Sequence, residues 1–310
     1  MDVAAPSALL GTSRDPLKTF LRQKPRSGFA IEMHAEKTNG HGLPQKRERL
    51  FDRLRALDSL LVAFSGGADS AYLAWAAHRA LGERALAVTA LSPSFSAHDR
   101  AQAEALARHA DLRHEFIATR EFENPLYVAN NADRCYHCKA ELFAELEKLA
   151  ATRGFAALAY GANADDVHDF RPGHRAAAEH QVLAPLLEAG LTKAEIRELS
   201  RQEGLPTWDR PASACLSSRV PYGTQVTAEN LSQVERGEAI LRELGFRQFR
   251  VRYHGELARI EVAPEELPRA LDAQMAQTLA ERFKPLGFAY VTLDLEGYRP
   301  GSLNAALKKK

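Results

Sequence analysis

The stretch that decides the fold is Leu60-Leu61-Val62-Ala63-Phe64-Ser65-Gly66-Gly67-Ala68-Asp69-Ser70. An apolar run ends in a glycine pair and is followed by a helical pattern, which predicts a buried parallel strand, a tight turn and a helix N-terminus. The glycines let backbone N–H groups approach an anion without a Cβ in the way. The orphan amides and the positive dipole end of the helix face the same point. The stretch therefore predicts an anion-binding loop, with hydroxyl donors from Ser65 and Ser70.

This loop resembles the S-G-G-x-D-S pyrophosphate loop of the ATP pyrophosphatases, a superfamily that forms acyl- or base-adenylates and releases pyrophosphate. Its spacing matches neither the G-x-x-x-x-G-K-[ST] of a Walker loop nor the G-x-G-x-x-G of a dinucleotide fold. The alternative is an ordinary glycine-rich turn. The resemblance implies a site for ATP and Mg²⁺ in which Asp69 organises the metal and the phosphates. The implied ATP-binding residues are Ser65, Gly66, Gly67, Asp69 and Ser70.

Composition limits the classes of protein to consider. A chain of 310 residues with 45% hydrophobic content can bury a large core, and its length suggests two domains. A formal net charge of +1 gives no argument for a nucleic-acid partner. No apolar run approaches membrane-spanning length, and the N-terminus lacks a signal-peptide core. We therefore expect a cytoplasmic protein that binds neither nucleic acid nor a membrane.

The chain divides into three predicted parts. Residues 1–45 are polar and broken by prolines, which predicts a disordered extension. Residues 46–221 alternate short apolar strands with helices, the signature of an α/β fold with a doubly wound parallel sheet. Residues 222–310 predict a smaller α+β domain. The predicted strands are Leu60–Phe64, Ala85–Leu91, Leu112–Ala118, Phe155–Tyr160, Gln248–Tyr253, Leu257–Val262 and Ala289–Leu293.

Carboxylates follow the fourth predicted strand, where ligands of parallel sheets bind. Asp165 and Asp166 come directly after it, with Asp169 and Arg171 behind them. This cluster predicts either a Mg²⁺ site for ATP or simple capping of a loop and a helix, and the sequence leaves both open. A capping-box pattern then begins the helix predicted for Lys193–Glu203.

Three cysteines form the second group of candidate residues. An odd number of cysteines in a reducing compartment does not indicate a disulfide framework. Cys135 and Cys138 form a C-x-x-C that presents two thiolates to one metal, and Cys215 lies in a distant segment. Three cysteines from two segments suit a 4Fe-4S cluster whose fourth iron stays open for an exogenous ligand such as sulfide. A zinc site completed by His137, a redox dithiol and ordinary core cysteines are the alternatives.

The surroundings of Cys215 favour a chemical role. The segment from Arg210 to Thr224 is bracketed by prolines and dense in hydroxyls, whereas buried structural cysteines usually occur in apolar periodic segments. Arg219 in the same segment can lower the pKa of the Cys215 thiol or bind an anionic substrate. Further on, Arg250 and Arg252 alternate with apolar residues on one strand. On an exposed sheet face they are either solvated charge or a clamp for carboxylate and phosphate, and we favour the clamp.

Four motifs taken in order resemble the LarE family, ATP-dependent sulfur transferases that build the nickel-pincer nucleotide cofactor of lactate racemase. They are the S-G-G-x-D-S loop, R-C-x-x-C-K, S-x-C-x-S-S-R-x-P-Y-G-T and the terminal T-L-D-L-x-G-Y-R-x-G-x-x-N. The resemblance spans about Leu50 to Asn304. It implies a homo-oligomer and an acceptor that is pyridinium-3,5-biscarboxylic acid mononucleotide. It also adds Arg299 to the clamp, so that the predicted acceptor-binding residues are Arg219, Arg250, Arg252 and Arg299.

One departure separates this chain from the LarE form that gives up its own cysteine sulfur. In that form the cysteine lies one residue earlier, where this chain has Ala214, and the C-x-x-C is absent. The chain therefore resembles the other form, in which Cys135, Cys138 and Cys215 hold a 4Fe-4S cluster. Sulfide or another donor would then replenish the sulfur. Loss of sulfur from Cys215 itself stays open as the alternative.

The predicted reaction begins when a substrate carboxylate attacks the α-phosphate of ATP. Pyrophosphate leaves into the Ser65–Ser70 loop, whose amides stabilise it as its charge builds. A sulfur nucleophile then displaces AMP from the acyl-adenylate and gives a thiocarboxylate. Two other functions remain open, a cluster-dependent tRNA thiolase of the same superfamily and a non-catalytic nucleotide sensor.

Overall fold

The described residues form two β-sheets, and the predicted loop follows an inner strand of the first one. In the computed structural model, which describes residues 42–168, 172–211 and 214–299, this sheet has four parallel strands in the order β3-β2-β1-β4. Its strands are β1 Leu60–Ala63, β2 Ala85–Leu91, β3 His114–Ala118 and β4 Ala157–Tyr160. The accompanying helices are α1 Leu43–Arg55, α2 Ala68–Leu81, α3 Ala97–His109, α4 Pro125–Val128, α5 Arg134–Arg153, α6 Pro172–Glu179, α7 Pro185–Glu188 and α8 Lys193–Gln202.

Strand β1 is buried on both faces, which explains its uninterrupted apolar sequence. Leu60 and Val62 pack into one core with residues of α1, α2 and α8. Leu61 and Ala63 point the other way, into a second core that includes residues of α5 and α6. Helices thus cover both faces of the sheet, and the prediction of a doubly wound α/β fold is confirmed.

The second sheet has three strands in the order β5-β6-β7. The β5 and β6 strands pair antiparallel, and β6 and β7 pair parallel. The elements are α9 Ala228–Glu243, β5 Phe249–His254, β6 Leu257–Val262, α10 Leu267–Ala270, α11 Ala273–Phe283 and β7 Tyr290–Leu293. Short 3-10 turns lie at Gly82–Arg84, Glu121–Glu123, Ala164–His168, Leu216–Arg219, Pro264–Glu266 and Lys284–Leu286. The core of this part also takes in Tyr127, Leu216 and Val220.

Most predicted boundaries agree with the structure to within two or three residues. Strand β2 and strand β6 have the predicted ends, and α8 begins with the predicted capping box of Thr192 and Glu195. Helix α2 begins at Ala68, directly after the glycine pair, because Gly67 is extended and serves as its N-cap.

The predicted extension at residues 1–45 is wrong at its last residues. Helix α1 begins at Leu43 and places Pro44 in its first turn, where a missing backbone N–H costs no helical hydrogen bond. Residues 1–41 lie outside the described residues, as do Asp169, Arg171 and the end of the terminal motif. None of the helices in the described ranges has the length and apolar character needed to cross a membrane.

Candidate functional site

The loop between β1 and α2 is built as an anion cradle. Gly66 has φ +73°, in the left-handed region that favours glycine. The hydroxyls of Ser65 and Ser70 lie 3.1 Å apart, and Ser70 Oγ donates to the Gly67 carbonyl at 3.1 Å. Among the residues that the structure describes, no side chain caps the N-terminus of α2. The first amides of the helix are therefore directed at the loop, where they can bind an anion.

Strand β4 ends directly against this loop. A Cβ added to Gly161 would lie 2.8 Å from the backbone N of Ser70 and 3.0 Å from its Cα. Backbone atoms of a helix start cannot move aside as a side-chain end can. Glycine at position 161 thus allows the edge of the sheet to approach the anion cradle closely.

We expect Gly161→Ala to destabilise the chain by about 1–3 kcal/mol and to weaken ATP binding, because the added methyl must displace the start of α2. Gly67→Ala is the matched control for stability alone, because Gly67 itself belongs to the anion-binding loop. Its φ is −76°, and its added Cβ would meet only Ser65 Oγ at 3.5 Å. Urea unfolding and calorimetric titration with ATP measure both effects, and equal stability of the two variants would contradict this account of Gly161.

Asp69 lies in the first turn of α2 beside a second carboxylate. Its Oδ2 accepts from Asn163 Nδ2 at 3.2 Å, whereas its Oδ1 is buried and has no hydrogen-bond partner among the described residues. Burial raises the pKa of the Asp69 carboxyl above its ordinary value, Lys193 opposes this and Asp166 adds to it. A buried carboxylate oxygen without a donor is a ready ligand for a cation.

The carboxylates after β4 act mainly as caps. Asp165 Oδ2 accepts from the Lys193 amide at 2.8 Å and so caps the start of α8. Asp166 Oδ2 accepts from the Asn163 amide at 3.1 Å and closes its own loop. Of the two readings that the sequence left open, the hydrogen bonds of these residues favour capping. Asp69, by contrast, keeps a buried oxygen that has no hydrogen-bond partner among the described residues.

The three cysteines lie in one region. Cys135 and Cys138 are in the first two turns of α5, and Cys215 immediately precedes the Leu216–Arg219 turn. Cys135 and Cys215 are exposed, and Cys138 is partly buried. Burial raises the pKa of the Cys138 thiol strongly, and the nearby Cys215 and Cys135 raise it further. Within the described part of the chain, however, no three His, Cys, Asp or Glu side chains stand close enough to hold a metal ion.

Arg219 is buried against the Cys215 segment and binds its backbone. It is 3% exposed and makes a two-point ion pair with the buried Glu238, with Nε–Oε1 2.8 Å and Nη2–Oε2 3.1 Å. It also donates to the carbonyls of Ala214 and Cys215. Burial alone would raise the pKa of the Glu238 carboxyl, but the charge and hydrogen bonds of Arg219 outweigh it and hold that pKa below its usual range.

The prediction of an exposed face for Arg250 and Arg252 is wrong. Arg252 is 5% exposed and donates to Glu261 Oε2 at 2.8 Å and to the Ser218 carbonyl at 3.0 Å. Arg250 is half-buried, with its guanidinium carbon 5.1 Å from the centre of the Tyr298 ring. The face is covered because the Leu216–Arg219 turn packs on β5.

The four predicted acceptor arginines fall into two groups. Burial lowers the pKa of the Arg250 guanidinium, and the neighbouring charges of Arg219 and Arg252 contribute to the lowering. These three cations therefore lie together beside the Cys215 segment. Arg299 is exposed and forms ion pairs with Asp294 and Glu296 instead.

We expect Glu238→Gln to lower the free energy of unfolding by about 3 kcal/mol, because it leaves the Arg219 charge buried without its partner. Since the folded-state pKa of Glu238 is depressed, its contribution is present above the unfolded pKa of about 4.5 and is lost as the pH falls through the folded pKa. The variant should lack this part of the acid dependence.

The control for Glu238→Gln is Glu243→Gln. Glu243 lies on the same helix as Glu238, and its exposed carboxylate forms an ion pair with Arg282 on α11. Glu243→Gln should cost less than about 1 kcal/mol. Urea unfolding at pH 7 and in acid compares the two, and similar losses at pH 7 would contradict the buried-pair account.

Two contacts join the Cys215 segment to the carboxyl edge of the parallel sheet. Arg210, the first residue of that segment, donates from Nη1 to the Gly66 carbonyl of the anion cradle at 3.0 Å. The Leu216 amide donates to the Ser94 carbonyl, in the loop after β2, at 2.9 Å. The anion cradle and the Cys215 segment therefore lie at the same carboxyl edge of the parallel sheet.

Sequence reasoning missed the buried partners of the site. Glu238 falls on the inner face of α9 with Leu231, Val234 and Leu241, so its signal is a carboxylate on an apolar helical stripe. Glu261 lies on β6 between two buried residues, Ile260 and Val262. Asn163 lies two residues before the predicted carboxylate cluster at Asp165 and Asp166. Such residues are found from the pattern only by asking what a buried charge pairs with.

Comparison with known proteins gives a consistent set of relatives. No model of a known protein family matches the chain. An uncharacterised protein of Synechocystis is 45% identical over 267 residues, which cover 86% of this chain and all of the relative. The pyridinium-3,5-bisthiocarboxylic acid mononucleotide synthase of Lactiplantibacillus plantarum is 36% identical over 269 residues, 86% of this chain and 96% of that enzyme. An uncharacterised protein of Methanocaldococcus jannaschii is 27% identical over 240 residues, 77% of this chain and 90% of the relative.

Proposed function

We propose a reaction for this chain on the premise that it belongs to the LarE family and, like its characterised relative, is an ATP-dependent sulfur-inserting synthase. In the proposal it adenylates a carboxylate of pyridinium-3,5-biscarboxylic acid mononucleotide and converts it to a thiocarboxylate. The observation that carries the proposal is the contact of the Cys215 segment with the anion cradle, since Arg210 binds the Gly66 carbonyl. Activation and sulfur transfer can then take place at one edge of the sheet.

The first step is adenylation. In the proposed pose the triphosphate lies on the Ser65–Ser70 loop, and the uncapped amides of α2 face the departing pyrophosphate. The free buried oxygen of Asp69 supports a role in binding Mg²⁺. A carboxylate oxygen of the substrate attacks the α-phosphorus, the bond to the β-phosphate oxygen breaks, and the products are acyl-adenylate and pyrophosphate.

Binding of the acceptor is assigned to the arginine cluster. Arg219, Arg250 and Arg252 concentrate positive charge beside the Cys215 segment. Arg219 and Arg252 each bind a buried carboxylate and supply positive potential and shape. Arg250 is only half-buried, so a substrate carboxylate or phosphate can reach its guanidinium as a direct ligand. Arg299 stays a predicted ligand whose own ion pairs would have to open.

The second step is sulfur insertion. A hydrosulfide sulfur attacks the acyl carbon, the bond from that carbon to the phosphate oxygen breaks, and AMP leaves with the electron pair. Three thiols from two segments fit a 4Fe-4S cluster in kind, and Cys135, Cys138 and Cys215 would hold it. When bound, such a cluster supplies an open iron that carries exogenous sulfide. Because the described thiols are not at metal-ligating spacing, binding requires them to approach one another.

The test of this function is product formation with defined components. Anaerobically prepared protein is incubated with the mononucleotide, ATP, Mg²⁺ and sulfide, and pyrophosphate and thiocarboxylate are quantified together. We expect pyrophosphate release only with the mononucleotide and thiocarboxylate only when sulfide is added. Release of pyrophosphate with tRNA instead would indicate the thiolase, and no release with any carboxylate would indicate a nucleotide sensor.

A further inference from the structure

Arg134 is a buried cation placed between the two cysteine segments. Arg134 is the first residue of α5 and directly precedes Cys135. It is 4% exposed. Its Nη1 donates to Asn130 Oδ1 at 2.6 Å and to the Ser217 carbonyl at 2.8 Å. Because Ser217 lies two residues beyond Cys215, this one guanidinium connects the C-x-x-C helix to the Cys215 segment.

Asn130 makes that connection rigid. It is fully buried with φ +55°, and its Nδ2 donates to the carbonyls of Pro221 and Thr224, each at 2.8 Å. Its own carbonyl accepts from the Gly223 amide at 3.1 Å. Arg134 therefore stands on a fixed frame, and its Nη2 cannot move far from the cysteines.

The charge of Arg134 lacks a carboxylate partner. The buried arginines Arg219 and Arg252 each pair with a buried glutamate, whereas no Asp or Glu in the described ranges forms an ion pair with Arg134. Its Nη2 instead faces Cys135 Sγ at 3.9 Å.

A buried cation with no counter-ion is costly unless an anion joins it. The residues around Arg134 offer neutral carbonyls, an amide oxygen, the Tyr222 ring at 5.8 Å and thiols. The compensating negative charge therefore comes from the cysteine sulfurs, as free thiolates or as ligands of the proposed cluster, or from a small anion that enters beside them. Cys135 and Cys215 are exposed, so a small solute can reach this point.

We propose that Arg134, with Cys135 and Cys215, forms a binding site for a singly charged sulfur anion of the hydrosulfide class. The inference rests on the proposed function, because a sulfur-inserting synthase must hold such a nucleophile close to the acyl-adenylate. Arg134 attracts the anion and keeps it between the two cysteine segments. It takes no proton and forms no covalent bond.

The experiment compares two alkylating reagents at Cys135 in the full-length, chelator-treated chain without ATP. Iodoacetate carries one negative charge and iodoacetamide none, and both react with the same thiolate, so the thiolate fraction cancels in the ratio of their rates. Peptide mass spectrometry gives this ratio for each cysteine. A cation about 6 Å from the reacting atom raises the ratio about three-fold even in a water-like dielectric.

Three full-length variants and the unfolded wild type define the result. Arg134→Gln should lower the iodoacetate preference at Cys135 about three-fold, and Arg134→Lys should keep most of it. Arg175→Gln is the matched control, because Arg175 is an exposed arginine that stacks at 3.8 Å on the ring of Tyr136, the neighbour of Cys135. It removes the same net charge and should leave the ratio unchanged.

The outcomes are separable from those of the proposed function. If Arg134→Gln does not fold, the folded wild type must still show a higher ratio than the same chain unfolded in urea, and Arg134→Lys must keep it. An unchanged ratio in folded Arg134→Gln, or equal ratios for folded and unfolded wild type, would overturn the sulfur-anion site. Neither measurement uses product formation, so failure to make a thiocarboxylate would count against the proposed function alone.

Discussion

Asp69→Asn is expected to lower the rate of ATP–pyrophosphate exchange about 100-fold while the fold is retained. The substitution keeps the shape of the side chain and its contact with Asn163 but removes the negative charge from a buried oxygen that no donor in the described part of the chain satisfies. If that oxygen organises Mg²⁺ on the phosphates, its loss acts on the activation step itself.

The control for Asp69→Asn is Asp165→Asn. Asp165 lies at the same edge of the sheet but caps α8 through the Lys193 amide. It should lower stability slightly and leave exchange within about three-fold of wild type. Since burial raises the pKa of Asp69, wild-type exchange should also begin to fall at a higher pH than an ordinary carboxyl would give. Exchange at the wild-type rate in Asp69→Asn would remove Asp69 from the mechanism.

The second large effect is expected from the cysteines. Changing Cys135, Cys138 or Cys215 singly to serine should abolish both iron binding and thiocarboxylate formation, because in the proposed cluster each of the three thiols would supply one iron ligand. Anaerobically reconstituted wild type should be brown and contain about four irons per chain. Pyrophosphate exchange should persist in all three variants, since the anion cradle is built by other residues.

His137→Ala separates the cluster from a zinc site. His137 lies within the C-x-x-C and its Nε2 is 3.3 Å from Asp133 Oδ2, so it makes no contact that the cluster needs. The variant should keep its colour, its iron and its activity. Stoichiometric zinc that is lost with His137 would instead show that the zinc alternative is correct.

The sequence was sufficient for the part of the fold that depends on local pattern. The run Leu60–Ala63 predicts a strand buried on both faces, and the glycine pair after it predicts the cradle, because both follow from side chains within one short segment. The Thr192 capping box is confirmed for the same reason. Such features need no knowledge of what packs from elsewhere in the chain.

Features made by distant segments were beyond the pattern. Alternation places Arg250 and Arg252 on one face of β5, but it does not reveal that the Leu216–Arg219 turn covers that face and that Glu261 neutralises Arg252. Likewise, Tyr127 belongs to the first predicted domain but packs in the core of the second sheet. Its hydroxyl lies 2.7 Å from Ser217 Oγ. These contacts depend on tertiary packing, which overrides a local reading.

The most direct test of the account is to count sulfur atoms transferred per chain while following the mass of Cys215. With sulfide, ATP and the mononucleotide supplied anaerobically, the account predicts more than one thiocarboxylate per chain and an unchanged Cys215. Sulfur given up by the protein itself would produce at most one thiocarboxylate per chain and a mass loss of about 34 Da at Cys215, the conversion of a cysteine to its β-elimination product. That loss in active, iron-free protein would contradict the cluster mechanism, and the absence of any thiocarboxylate would contradict the proposed function.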